Sequence, residues 1–220
     1  MPIWQITAFT IATALGATAL MLPPGLLLAW WLARRKFLGQ TLVETLVSLP
    51  LVMPPVATGL ILLMLLAPRG VIGRLLARLG IEVVFTWRAV VVAMAVMALP
   101  LFVRAARAGI EQVDRRYEAV AATLGARPLR IFFTLTLPLA APAVAAGAVL
   151  GFARAVGEFG ATIMIAGSLE ETRTLAVAIY SFAETGRDRE AAALIVVSAV
   201  IAFLALYLSN RIAARPGLRA

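Results

Sequence analysis

Cysteine and histidine are both absent from the 220 residues, and lysine occurs once, at Lys36. Without thiols or imidazoles there is no disulfide framework, no ordinary zinc ligand set and no imidazole base. Those absences set aside most membrane hydrolases and redox proteins, and no metal site is expected. A Gly-x-x-x-x-Gly-Lys-Ser/Thr loop is missing too, so the chain does not handle ATP through that motif. Charge is scarce: 14% of residues are Asp, Glu, Lys or Arg, against about a quarter in soluble domains.

What is abundant is apolar surface, with 62% hydrophobic residues and a mean hydropathy of +0.97. Residues 1–33, 45–68, 131–153 and 191–210 carry no charged side chain. A helix needs about 20 apolar residues to cross a ~30 Å hydrocarbon core, and all four runs reach that length. The expected fold class is therefore an all-α polytopic membrane protein. Five spans are placed at 5–32, 46–67, 83–103, 139–166 and 190–210, with six the alternative count. Arg88 interrupts the third span near one end, where an arginine can snorkel to the headgroups. Trp4, Trp30, Trp31 and Trp87 fall near proposed span ends, as an aromatic belt requires. The first run lacks a basic leader and is followed at once by Arg34, Arg35 and Lys36, so it reads as a retained span.

Five spans place the termini on opposite sides. With the N-terminus outside, 33–45, 104–138 and 211–220 are cytoplasmic and hold 12 Lys/Arg, against 7 in the outer segments. That bias favours a cytoplasmic C-terminus and a short basic tail at 211–220. The net charge of +9 thus concentrates on the inner face, where anionic lipid accounts for it without nucleic acid. Pro23, Pro24, Pro50, Pro54, Pro55, Pro100, Pro138 and Pro142 lie in or beside spans. Each removes a backbone donor, so kinked or broken helices around a pathway are expected.

The stretch 111–135 between the third and fourth spans is the most informative. Residues 115–124 are strong helix formers, Gly125 suits a left-handed C-terminal cap, and Pro128 fits the first turn of a second helix. Alanines and glycine leave one face small enough for close approach by another surface. The residues alone allow either a docking element or a solvated loop.

Within this stretch, Glu118-Ala119, Ala121-Ala122, Gly125 and Leu137-Pro138 resemble the "EAA" motif of ABC-importer permeases. From Gly125, nine residues lead to Leu135, Thr136, Leu137 and Pro138, which is the family spacing. One departure is that Glu118 precedes the glycine by seven residues rather than six, with Val120 inserted; the offset resembles the molybdate branch. The resemblance implies a type I transmembrane domain over 5–210. It also implies a coupling role for Glu118, Ala119, Ala121, Ala122 and Gly125 against a cytoplasmic ATPase. The implied partners are a second copy of the chain, an ATPase dimer that carries ATP and Mg, and an extracytoplasmic binding protein. The resemblance further implies that this chain itself binds no cofactor and that it resides in a bacterial or archaeal cytoplasmic membrane.

Leu49–Val56, Phe85–Arg88, Gly157–Thr162 and Glu171–Thr174 resemble the molybdate permeases in particular, although sulfate permeases share Gly-Glu-Phe-Gly-Ala. Molybdate import by alternating access is the expected function, with tungstate also open. The alternatives are a sulfate or thiosulfate permease, and a stand-alone channel or secondary transporter. At membrane depth the candidate pathway or gate residues are Arg154, Gly157, Glu158, Gly160 and Thr162. Arg154 and Glu158 share a helix face, either neutralising each other or gating the path. Gly157 and Gly160 permit close helix approach or mark a dimer contact.

Overall fold

In the computed structural model the described residues are 1–214; of the basic tail expected at 211–220, residues 215–220 lie outside them. Eleven α-helices follow in order among the described residues: α1 (Ile3–Arg34), α2 (Gln40–Val52), α3 (Pro55–Leu66), α4 (Val71–Arg78), α5 (Trp87–Glu111), α6 (Arg115–Thr123), α7 (Pro128–Ile131), α8 (Leu137–Val156), α9 (Gly160–Ala166), α10 (Leu175–Glu184) and α11 (Asp188–Ala213). A π-helical turn at Phe132–Thr136 joins α7 to α8, and Pro128–Val156 is long and apolar enough to cross a membrane. So are α1, α5 and α11.

α5 is the central helix. In its most apolar stretch 67% of residues are buried, against 17% for α11. It packs mainly on α1 and α8, and α11 lies outside on α8. The α5 face toward these neighbours carries Ala89, Ala93, Met94, Met97, Ala98, Phe102 and Ala106, all buried. Small residues suit that position, because in lipid the helices gain from close van der Waals contact rather than from leaving water. α11 turns Val196, Val200, Phe203 and Tyr207 outward, a helical-period stripe fit for lipid.

Several boundaries differ from the sequence expectation. The segment expected as one span over 46–67 is two helices, α2 and α3, meeting at 111°. At the break Pro54 and Pro55 both lack an N–H, and Pro55 opens a new helix at its first position. By contrast α1 passes through Pro23–Pro24, α5 through Pro100 and α8 through Pro142 without ending. The fourth segment, expected over 139–166, stops at Val156 and restarts at Gly160. α5 runs eight residues past the expected end at 103, because Arg107 travels inside the helix paired with Glu44 and Glu111, both at 2.7 Å. Residues 167–189, expected as a plain outer segment, contain the apolar helix α10, with Leu175, Val177, Ala178 and Phe182 buried. At that end Met1 donates its ammonium to Glu170, and this hydrogen bond holds the carboxyl below the ordinary glutamate range. The carboxyl is fully exposed, so the pair is well screened.

Candidate functional site

Two places gather the candidate residues. The first is the loop between α5 and α8. Asp114 caps α6, its Oδ1 accepting from the Arg116 N–H at 2.8 Å, and Gly125 closes it with φ +83°. The sequence expectation places Glu118 with the docking alanines, yet its carboxylate turns inward. Oε1 accepts from Arg34 Nε at 3.0 Å and from the Thr136 hydroxyl at 2.6 Å, while Arg34 also donates to the Val113 carbonyl at 3.2 Å. Arg115 donates to the Ala33 carbonyl at 2.9 Å. The loop therefore hangs from the end of α1 and from the π-helical turn by charge-assisted hydrogen bonds, about twice as strong as neutral ones. Ala119 and Ala122 are exposed and Ala121 is half-buried. Around them Tyr117, Val120, Leu124, Leu129 and Phe133 are also exposed, Leu124 to 83%. These side chains project beyond the helix ends, on the element that carries Arg115, Arg116, Arg127 and Arg130. Exposed apolar side chains thus lie beside exposed charge on this loop.

Gly125 has the left-handed backbone that a β-branched side chain adopts only at a cost of about 1–2 kcal/mol. Nothing lies within 4 Å of the position a Cβ would take. Gly125→Val is therefore expected to loosen the α6–α7 turn through backbone strain, whereas Gly125→Asn, which tolerates this conformation, leaves it nearly intact. Limited proteolysis of the loop in the two variants is the measurement; equal cleavage would rule out a conformational requirement.

The second place is where the two interrupted segments meet. α8 ends at Val156 and α9 begins at Gly160, next to the start of α3. Arg154 pairs with Glu158 Oε2 at 2.7 Å, and Glu158 Oε1 accepts from the Ala161 N–H at 2.9 Å. The carboxylate thus bridges the break, holding the last turn of α8 to the first of α9. Glu158 is 1% exposed and the Arg154 side chain 27%. A Cβ on Gly160 would lie 2.7 Å from Pro55 Cβ, and one on Gly59 would lie 2.7 Å from Ala161 Cα. α3 and α9 are in backbone contact as a result. Thr162 is buried on α9 and Thr58 on α3, and neither hydroxyl has a hydrogen-bond partner among the described residues. Gly157 stands apart from this seam: it is exposed, and a Cβ there would come no closer than 3.9 Å to any neighbour. At the other end of α9, the Phe85 N–H donates to the Ile165 carbonyl at 3.0 Å, tying the entrance of α5 to the seam.

The structure thus brings Arg154, Glu158, Gly160 and Thr162 together and leaves Gly157 outside. Sequence reasoning did not find Arg34, Thr136, Pro55 or Gly59. Arg34 reads only as a charge closing the first span, and Gly59 lies in an apolar run with nothing to mark its partner.

The described residues thus form a helical membrane domain with two broken segments and a capped loop hung between long helices. The chain belongs to the family described as binding-protein-dependent transport system inner membrane component, whose pattern matches residues 25–215. It is 43% identical over 215 residues to the molybdenum transport system permease protein ModB of Escherichia coli, covering 96% of this chain and 94% of that protein. It is 37% identical over 196 residues to the sulfate transport system permease protein CysT of Salmonella typhimurium, covering 89% of this chain and 71% of that one. In fold it matches a chain of the MetNI methionine ABC transporter, solved in inward-facing conformations, with TM-score 0.68, 18% identity and coverage of 99% and 94%.

Proposed function

We propose that this chain is the membrane-spanning permease of an ATP-driven importer for molybdate, or for the nearly isosteric tungstate. In this reading two copies form the pathway and move the ion by alternating access. The N-terminus lies outside and the C-terminus in the cytoplasm. Loop 111–135 seats against a cytoplasmic ATPase that holds ATP and Mg, and an extracytoplasmic binding protein delivers the ion. The substrate rests on the molybdenum permease relative, 43% identical over nearly the whole chain. The mode of action rests on one observation, the α6–α7 loop. It is fixed through Glu118 to α1 and to the π-helical turn that leads into α8, while five apolar side chains on it are exposed. A loop so anchored transmits a push from a bound protein to both helices. The Gly125 cap and the exposed Ala119 and Ala122 let that protein approach closely.

The broken segments fit the same reading. Backbone groups freed at breaks in lipid are tolerated where they line a cavity or are held by protein, and here Glu158 and its pairing with Arg154 do the holding. Neither residue then offers a free charge that would trap a dianion; a conduction path needs binding weak enough to release.

Reconstitution tests the proposal. The chain alone in proteoliposomes is expected neither to hydrolyse ATP nor to pass molybdate. Adding the ATPase and the binding protein is expected to give ATP-dependent uptake that sulfate does not inhibit. Flux through the chain alone would make it a channel or secondary transporter. Uptake of sulfate in preference to molybdate would make it a sulfate permease.

A further inference from the structure

Between α2 and α5 lies a cavity of about 450 Å³ that none of the residues discussed above as pathway candidates touches. It runs along α2 from Thr41 to Val52, the last residue before the break. Eleven residues of helix make that about 16 Å. Its lower end is therefore at the loop side of the protein, and its upper end is one residue from the α2–α3 break.

The polar lining is specific in kind. Thr41, Thr45 and Ser48 lie on one face of α2, at i, i+4 and i+7, and Arg104 and Arg107 face them from α5. Arg107 is neutralised twice, by Glu44 and by Glu111. Arg104 pairs with no carboxylate among the described residues; its one bond donates to Ser48 Oγ at 3.2 Å. Thr45 donates its proton to the Thr41 carbonyl at 2.7 Å, whereas among the described residues the hydroxyls of Thr41 and Ser48 donate no bond. A guanidinium with free fork donors beside the Ser48 hydroxyl, whose proton is uncommitted, offers several donors to one small ligand. Such a cluster of donors around a fixed positive charge fits a tetrahedral oxyanion. Glu44, at the lower end, opposes retention there.

We infer that the Ser48–Arg104 stretch of this cavity is a low-affinity oxyanion subsite on the cytoplasmic side of the α2–α3 break, occupied by the transported anion as it leaves. The inference rests on the permease reading above. It assigns to Arg104 a place in binding that neither the motif residues nor the Arg154–Glu158 pair supplies. The headgroup phosphate of an anionic lipid has the same chemistry and is the competing occupant.

The test uses the chain assembled with its ATPase, without binding protein, in nanodiscs of phosphatidylcholine, with radiolabelled molybdate in equilibrium dialysis. Wild type is expected to bind in the millimolar range. Arg104→Gln should bind about 10-fold or more weakly, the scale of one charge-assisted hydrogen bond. Arg104→Lys should fall between, since it keeps the charge and loses the fork, and Ser48→Ala should lose about 3-fold. Arg104 is exposed, so assembly of these variants is expected to match wild type by size-exclusion chromatography. Wild-type affinity in Arg104→Gln, or no binding by wild type up to about 10 mM, overturns the inference. In a second arm, phosphatidylglycerol is added to the discs and bound lipid is read by native mass spectrometry. Loss of a bound anionic lipid in Arg104→Gln with molybdate binding unchanged assigns the cavity to lipid and overturns the transit role. A separate uptake assay on the complete wild-type system distinguishes the two levels. Absent molybdate uptake removes the permease reading, whereas normal uptake with an indifferent Arg104 removes only this subsite.

Discussion

Replacing Arg154 with alanine is expected to lower the yield of folded, membrane-inserted protein severely, and more than replacing Glu158. The pair is asymmetric: Glu158 is 1% exposed and Arg154 27%. Removing the arginine leaves a carboxylate buried without its cation, which costs about 3–5 kcal/mol. Removing the glutamate leaves an arginine with a partial route to solvent, and it also frees the Ala161 N–H. That loss is about 1–3 kcal/mol, the scale of one buried hydrogen bond left unmade. The double alanine variant is therefore expected to express better than Arg154→Ala alone, a coupling that contacting charges show. Glu158→Gln separates the two duties, since it keeps an acceptor for Ala161 and loses the charge. Expression and uptake measured for all four variants decide the role. Recovery of both in the double variant identifies a structural pair, and recovery of expression alone identifies a part in moving the anion. Two harmless single variants would show that the break is not a low-dielectric site.

Gly59→Val is expected to be as damaging by a different route. Its Cβ would stand 2.7 Å from Ala161 Cα and 2.8 Å from the Ala161 carbonyl oxygen, and backbone cannot step aside as a flexible side chain can. α3 must part from α9, which costs at least the 1–3 kcal/mol typical of overpacking. Gly160→Leu meets Pro55 Cβ and the Val56 nitrogen and is expected to act alike. Gly157→Ala is the internal control, because its Cβ would have no neighbour closer than 3.9 Å, so its effect should stay within about 0.5 kcal/mol. Thermal unfolding of the purified variants measures all three. If Gly59→Val unfolds with wild type, α3 and α9 do not pack as described; if Gly157→Ala is as damaging as Gly160→Leu, Gly157 is packed in the assembled protein.

These contrasts show how far a sequence carries such a protein. Membrane residence and an all-helical fold followed from composition and charge-free length, and the helix–glycine–helix form of the loop from its own residues, while its family was read from a resemblance over Glu118 to Pro138. Each is a local property, since a run of apolar residues partitions into lipid and a glycine caps a helix whatever lies beyond. The (i, i+4) relation of Arg154 and Glu158 was equally local, being set by helical pitch.

Tertiary structure decided what depends on partners distant in the chain. The carboxylate of Glu118 could have faced a partner protein, and only the fold places Arg34, 84 residues away, against it. Pro23–Pro24 and Pro54–Pro55 are the same dipeptide in sequence, yet the first lies inside the unbroken α1 and the second stands where α3 begins. Gly157 and Gly160 are three residues apart and chemically identical. Only the approach of Pro55 from another segment leaves no room for a Cβ on Gly160 while the position of Gly157 stays open, because packing is a relation between surfaces that periodicity along one helix does not encode.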